Sequence, residues 1–196
     1  MTRSRFIIAI VLAALLQTAL LLWIVVDRIR LLTTGQEIVL QTEPVDPRSL
    51  FQGDYVILSY SISQIPLKDI AVDRQLDDGD EIYVTLVPNG DTWKPIAIHH
   101  QRPDLTDGQA ALKGRVDYVW QDREGETPGT DCPECMTAQI SYGLESYFVP
   151  EGTGRQLEEF RNERALKVIV AVNEAGDSAI KGLVIDGETI YEEPLL

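Results

Sequence analysis

Cysteine, histidine and methionine are scarce in this chain of 196 residues, with two of each. That scarcity narrows the available chemistry. Cys132 and Cys135 supply two of the four ligands that a structural zinc site needs. His99 and His100 are neighbours on an expected strand, so their side chains point to opposite faces and one at most could help. No metal and no cofactor is therefore expected. Basic residues are also outnumbered, 17 against 31 acidic, for a formal charge of −14. Setting aside Arg3, Arg5, Asp27, Arg28 and Arg30 leaves 13 basic and 30 acidic residues in 31–196, a formal charge of −17. Nucleic-acid binding depends on Lys and Arg neutralising phosphates, and so leaves the list of functions. Such an acidic surface reads first as a means of staying soluble. The chain has no internal repeat. Asp77-Asp78-Gly79-Asp80-Glu81 lacks the alternating ligands and the distal Glu of a calcium loop and reads as carboxylates that form a turn around glycine.

Long apolar runs are limited to one. Phe6–Val26 holds 21 residues with only Gln17 and Thr18 polar, long enough to cross a hydrocarbon layer of about 30 Å as a helix. A cleaved signal peptide would have an apolar region of only about 7–15 residues ending in an A-x-A-like site, and none precedes Asp27. A retained transmembrane helix is expected, between a cytoplasmic stub at 1–5 and a membrane-proximal linker at 27–37. Arg3, Arg5 and the terminal amine, against Arg28 and Arg30, bias the N-terminus toward the cytoplasm. Ala9, Ala13 and Gln17 recur at i, i+4, i+8, a small-and-polar stripe that would let a second helix approach closely and hydrogen-bond in lipid.

Beyond the linker, 38–196 should form one β-rich domain, barrel- or sandwich-like, because β-branched and alternating runs are bounded by Gly, Pro, Asn and Asp. Strands are expected at Glu37–Gln41, Tyr55–Ser63, Glu81–Val87, Thr92–His99, Ala111–Val119, Ala138–Tyr142, Leu166–Asn173 and Ser178–Ile185. Asn89-Gly90 suits a hairpin turn in which both residues take positive φ, and Asn173–Asp177 joins a second hairpin. One short helix is expected near 154–164, where Thr153 and Gln156 form a capping-box pattern and Leu157 and Phe160 share a face. Gln121–Thr130 should be an exposed loop.

The densest signal is Gly53-Asp54-Tyr55-Val56-Ile57-Leu58-Ser59-Tyr60. Gly53 can adopt the positive φ of a tight turn and Asp54 can hydrogen-bond backbone two residues on. Val56, Leu58 and Tyr60 then share one strand face and Tyr55, Ile57 and Ser59 the other, so both faces carry apolar bulk and the strand should be central. Gly53, Asp54, Tyr55, Leu58 and Tyr60 fill every specified position of the motif of the GDYXXLXY family of membrane-anchored bacterial proteins, which the chain resembles over residues 38–191. Pro44–Gln52, Tyr142–Gly152 and Lys181–Gly187 extend the likeness. The resemblance implies a single-pass protein of the bacterial inner membrane with a periplasmic or extracellular domain, often encoded beside polytopic membrane proteins. It implies no established activity.

Other residues have local readings. Arg48 precedes the motif and could pair with Asp46, Asp54 or Glu145, either as a structural ion pair or as a binding group. Tyr55, Tyr60, Tyr142 and Tyr147 read as buried or half-buried aromatics with hydrogen-bonded hydroxyls. Cys132-Pro133-Glu134-Cys135 lacks the following helix of a thioredoxin-type site. In an oxidising compartment the pair most simply closes a local disulfide, with free thiols, metal binding and exchange chemistry as alternatives. Two functions follow. One is a non-enzymatic accessory that docks on a polytopic membrane partner, or on a second copy of itself, through the anchor and the exported domain. The other is a membrane-tethered hydrolase on a scaffold similar to type I signal peptidases, which Pro47–Val56 faintly resembles. That family's serine position is occupied here by Pro44 and Val45, and no matching Lys is present to act as base, so an enzyme is disfavoured.

Overall fold

A computed structural model describes residues 3–44, 55–121, 136–148, 160, 163 and 165–193. Helix α1 (Arg3–Thr34) contains 32 residues, and its apolar side chains from Ile7 to Val26 are exposed, as a surface made for lipid would be. Residues 27–37 do not form a separate linker. The helix continues to Thr34 and Gly35 alone separates it from β1 (Gln36–Glu43). Packing explains the extension: Leu31 and Leu32 lie beyond the charges of Arg28 and Arg30 and are buried against Ala171 and Ala179 of the domain. The Gly35 amide donates to the Leu31 carbonyl at 3.0 Å. A Cβ at 35 would stand 2.5 Å from that same oxygen, so the tight exit requires glycine.

The remaining elements follow in chain order. Strands β2 (Tyr55–Ile57), β3 (Ser59–Tyr60) and β4 (Gln64–Pro66) precede a 3-10 turn at Leu67–Asp69 and β5 (Ala71–Val72). Then come β6 (Glu81–Asn89), β7 (Thr92–His99), β8 (Ala110–Gln121), β9 (Met136–Ser141), β10 (Ser146–Phe148), β11 (Leu166–Val172), β12 (Ser178–Ile185) and β13 (Glu188–Glu192). One sheet has the order β13-β12-β11-β1-β3, a second the order β4-β9-β8-β6-β7-β5, and β10 pairs with β2. Both large sheets keep open edges, so the sandwich alternative holds over the barrel. Ile38, Leu40, Val168 and Val170 of the first sheet meet Ile82, Val84, Leu112 and Ile140 of the second in one buried cluster. Alternation does this work: Ile38 and Leu40, Val168 and Val170, and Ile82 and Val84 are each two positions apart on one strand, and that period faces the opposing sheet.

Two expectations change in detail. At the β6–β7 hairpin Asn89 pairs with Thr92, which leaves Gly90 and Asp91 as the loop. Positive φ falls on Gly90 alone, at 67°, the glycine-first order of a type II′ turn. The larger change concerns Tyr55–Ser63, expected as one central strand. β2 pairs with β10, whereas Ser59 and Tyr60 pair with Glu43 and Thr42 of β1. The strand changes partners at Leu58 and turns at 61–63, where Ser63 donates its amide to the Tyr60 carbonyl at 2.8 Å. Only one of its faces is deeply buried: Val56, Leu58 and Tyr60 are all but inaccessible, while Ile57 and Ser59 are half-exposed. The helix near 154–164 falls largely outside the described residues, of which Phe160 is helical.

Candidate functional site

The motif segment forms a corner of the sandwich, and two tyrosines lock it. The Tyr60 hydroxyl donates to the Leu144 carbonyl at 2.6 Å, and the Tyr142 hydroxyl donates in return to the Ile62 carbonyl at 2.8 Å. Each ring thus reaches across to the backbone of the segment that carries the other. Glu145 joins the same two segments: its carbonyl accepts from Leu58 N at 2.8 Å and its carboxylate accepts from Tyr142 N at 2.5 Å. Burial pushes the Tyr60 and Tyr142 phenols well above their ordinary pKa, and the nearby Glu145 charge pushes further the same way. Both therefore stay protonated and act as donors. Gly114 of β8 makes room for the lock, since a Cβ there would stand 2.8 Å from Ile140 Cγ2 and 3.0 Å from the Tyr142 ring.

The β2–β10 ladder leads from this corner toward α1. Tyr147, opposite Val56, is buried, rests edge-on against Tyr191 at 5.7 Å, and donates its hydroxyl to Glu193 at 2.8 Å. Burial raises its phenol pKa as well, and the Glu193 carboxylate adds to the rise. A cavity of about 150 Å³ at the end of the ladder is lined by Arg28 of α1, Leu144, Tyr147, Phe148, Ile180 and Glu193. A larger cleft of about 1370 Å³ opens where α1 meets the sheets, lined by Arg30, Thr34, Gly35, Arg102, Leu105 and Glu174 among others.

A second polar cluster joins the turns that flank β5, β6 and β7. The largely buried His100 ring bridges two carboxylates, with Nδ1 at 2.6 Å from Asp73 and Nε2 at 3.1 Å from Asp80. Its amide also donates to Asp73 at 2.9 Å. Burial resists ionisation of Asp73, but the hydrogen bonds from His100 outweigh it and hold the carboxyl below its ordinary pKa. Asp80 is lowered first by the Asp77 amide and then by His100. The cluster ties three turns together, and Asp77–Glu81 behaves as the turn expected of it, with Gly79 at φ 91°. Among the described residues no three His, Cys, Asp or Glu side chains converge as a metal site.

Of the residues singled out in the sequence, Leu58, Tyr60 and Glu145 converge at this corner. The backbone of Tyr55 pairs with Phe148 in the adjoining ladder. Gly53, Asp54, Arg48, Cys132 and Cys135 lie outside the described residues. Ala9, Ala13 and Gln17 are exposed along α1. The sequence reading missed Leu31 and Leu32 as the mount of the domain, although an apolar pair just beyond two arginines was a visible signal. It also missed the His100 bridge, for which no local pattern exists, because Asp73 and Asp80 approach from different turns.

Fold and corner together define a β-sandwich mounted without a linker on one N-terminal helix long and apolar enough to cross a membrane. The profile of the GDYXXLXY family, described as GDYXXLXY protein, matches residues 17–183, and the chain belongs to that family. No curated protein and no solved structure matches it.

Proposed function

We propose that this protein is a non-enzymatic, single-pass accessory of the bacterial inner membrane that docks on a polytopic membrane partner. The observation behind this reading is the junction. Leu31 and Leu32 are buried against Ala171 and Ala179, and Gly35 is the only residue between helix and sheet. A flexible linker would let the domain reorient freely, whereas a rigid mount passes the orientation of a helix–helix contact on to the domain. On this reading Ala9, Ala13 and Gln17 face the partner's helices in lipid, and the cleft beside Arg30 and Arg102 lies where a partner's short external loop would emerge. Arg3 and Arg5 favour a cytoplasmic N-terminus and a periplasmic or extracellular domain.

The test is cross-linking in intact cells followed by identification of the captured proteins, with two variants. Gln17→Leu together with Ala13→Ile keeps the anchor apolar and should weaken capture of a polytopic protein. A flexible Gly-Ser insertion after Thr34 should weaken it as well, with the domain still folded. If both variants capture the same proteins at the same yield as the parent chain, the docking reading fails. Protease added to spheroplasts should degrade the domain; protection until the membrane is lysed would reverse the topology.

A further inference from the structure

The Phe148 side chain is 75% exposed, the most exposed large apolar group among the described residues outside α1. An exposed phenylalanine is ordinary on a protein surface; the position of this one is not. Phe148 lines the same small cavity as Arg28. The apolar run of the anchor ends at Val26, and a helix rises about 1.5 Å per residue, which puts Arg28 about 3 Å beyond the end of the hydrocarbon. The headgroup layer is roughly 5–8 Å deep on each side, so Arg28 falls within it. The shared cavity, about 150 Å³ in volume, places Phe148 on the side of the domain that meets α1, beside Arg28. The buried Leu31–Leu32 contact keeps the domain from pivoting away.

We infer that the end of the β2–β10 ladder rests in the lipid surface, with the Phe148 ring in the headgroup layer next to Arg28. Trp23, 72% exposed on α1, lies at the same interface, where aromatic rings are favoured. The lipid contact would hold the motif corner against the membrane at a set height, with the acidic sheets turned to water. This inference rests on the anchor reading above but not on the existence of a partner.

The test uses the full chain in phosphatidylcholine–phosphatidylglycerol nanodiscs whose acyl chains are brominated at defined depths. Three proteins each keep one indole: Trp23 alone, Trp93 alone, and a chain carrying Phe148→Trp with all three native tryptophans changed to Phe. Melting curves matching the parent confirm that each is folded. The indole at 148 should lose at least half its fluorescence to the shallowest bromines, as Trp23 should, while Trp93 on β7 should be unaffected. Quenching at 148 no greater than at Trp93, with Trp23 quenched, would overturn the inference. If Trp23 is not quenched either, the anchor reading itself falls. Hydroxyl-radical footprinting of the unmodified chain provides a second check. Relative to the unfolded chain, Phe148 should be several-fold more protected in nanodiscs than Tyr118, which is 51% exposed. Equal labelling of the two would likewise overturn the inference.

Discussion

Replacing Tyr60 or Tyr142 with Phe removes one oxygen and nothing else from the corner that carries the motif. Both hydroxyls donate to buried backbone carbonyls, at 2.6 and 2.8 Å. Each deletion forfeits a net hydrogen bond of about 0.5–1.5 kcal/mol and strands a carbonyl that burial denies to water, so each variant should lose about 1–2 kcal/mol. For a domain of this size that corresponds to a fall in Tm of roughly 2–8 °C. The two bonds join the same segments in opposite directions, so the double variant should not be additive; a coupling of at least about 0.5 kcal/mol is expected. The assay is thermal unfolding of the full chain in nanodiscs, followed by near-UV circular dichroism so that the anchor helix does not dominate the signal. Tyr118→Phe is the control, because that ring is half-exposed. If Tyr60→Phe and Tyr142→Phe both melt within 1 °C of the parent, on the scale set above, the corner is not held by these bonds. The motif's last tyrosine would then have to be explained by recognition.

Three further outcomes follow from the same geometry. Tyr60 and Tyr142 have folded pKa values raised above the unfolded value of about 10, so the stability they contribute is complete below pH ~10 and declines above it as the unfolded chain ionises first. Spectrophotometric titration should show both ionising only together with unfolding, and their early ionisation would contradict the burial. Gly114→Ala places a Cβ 2.8 Å from Ile140 and 3.0 Å from the Tyr142 ring, both buried, and should cost about 1–3 kcal/mol by overpacking in denaturant titration; no cost would mean that the corner yields. Asp73 and Asp80 have lowered pKa values, so their contribution is present above the unfolded value of about 3.9 and is lost as pH falls through the folded values. His100→Gln should accordingly melt below the parent at pH 5, with the gap closing below pH ~4; a gap independent of pH would rule out the carboxylates as its source.

What the sequence determined alone is what depends on local order and composition. A run from Phe6 to Val26 with two polar residues is stable only in a bilayer or a core, and α1 follows it with its apolar side chains from Ile7 to Val26 exposed. Period-two runs place β1, β6, β7, β8, β9, β11 and β12 within about two residues of expectation, because each pattern buries one face whatever its partner is. The motif identifies the family by residue identity. Tertiary structure decided what depends on partners far along the chain. Tyr55–Ser63 alternates like one strand, yet β2 finds β10 and β3 finds β1, a choice that pairing across about ninety residues imposes and no local propensity encodes. Leu31 and Leu32 read as part of a membrane-proximal linker until Ala171 and Ala179 of the distant β11–β12 hairpin offer them a dry surface. The helix then continues, the linker vanishes, and the domain takes a fixed stance on α1 because burying those two leucines outweighs the freedom a flexible joint would retain.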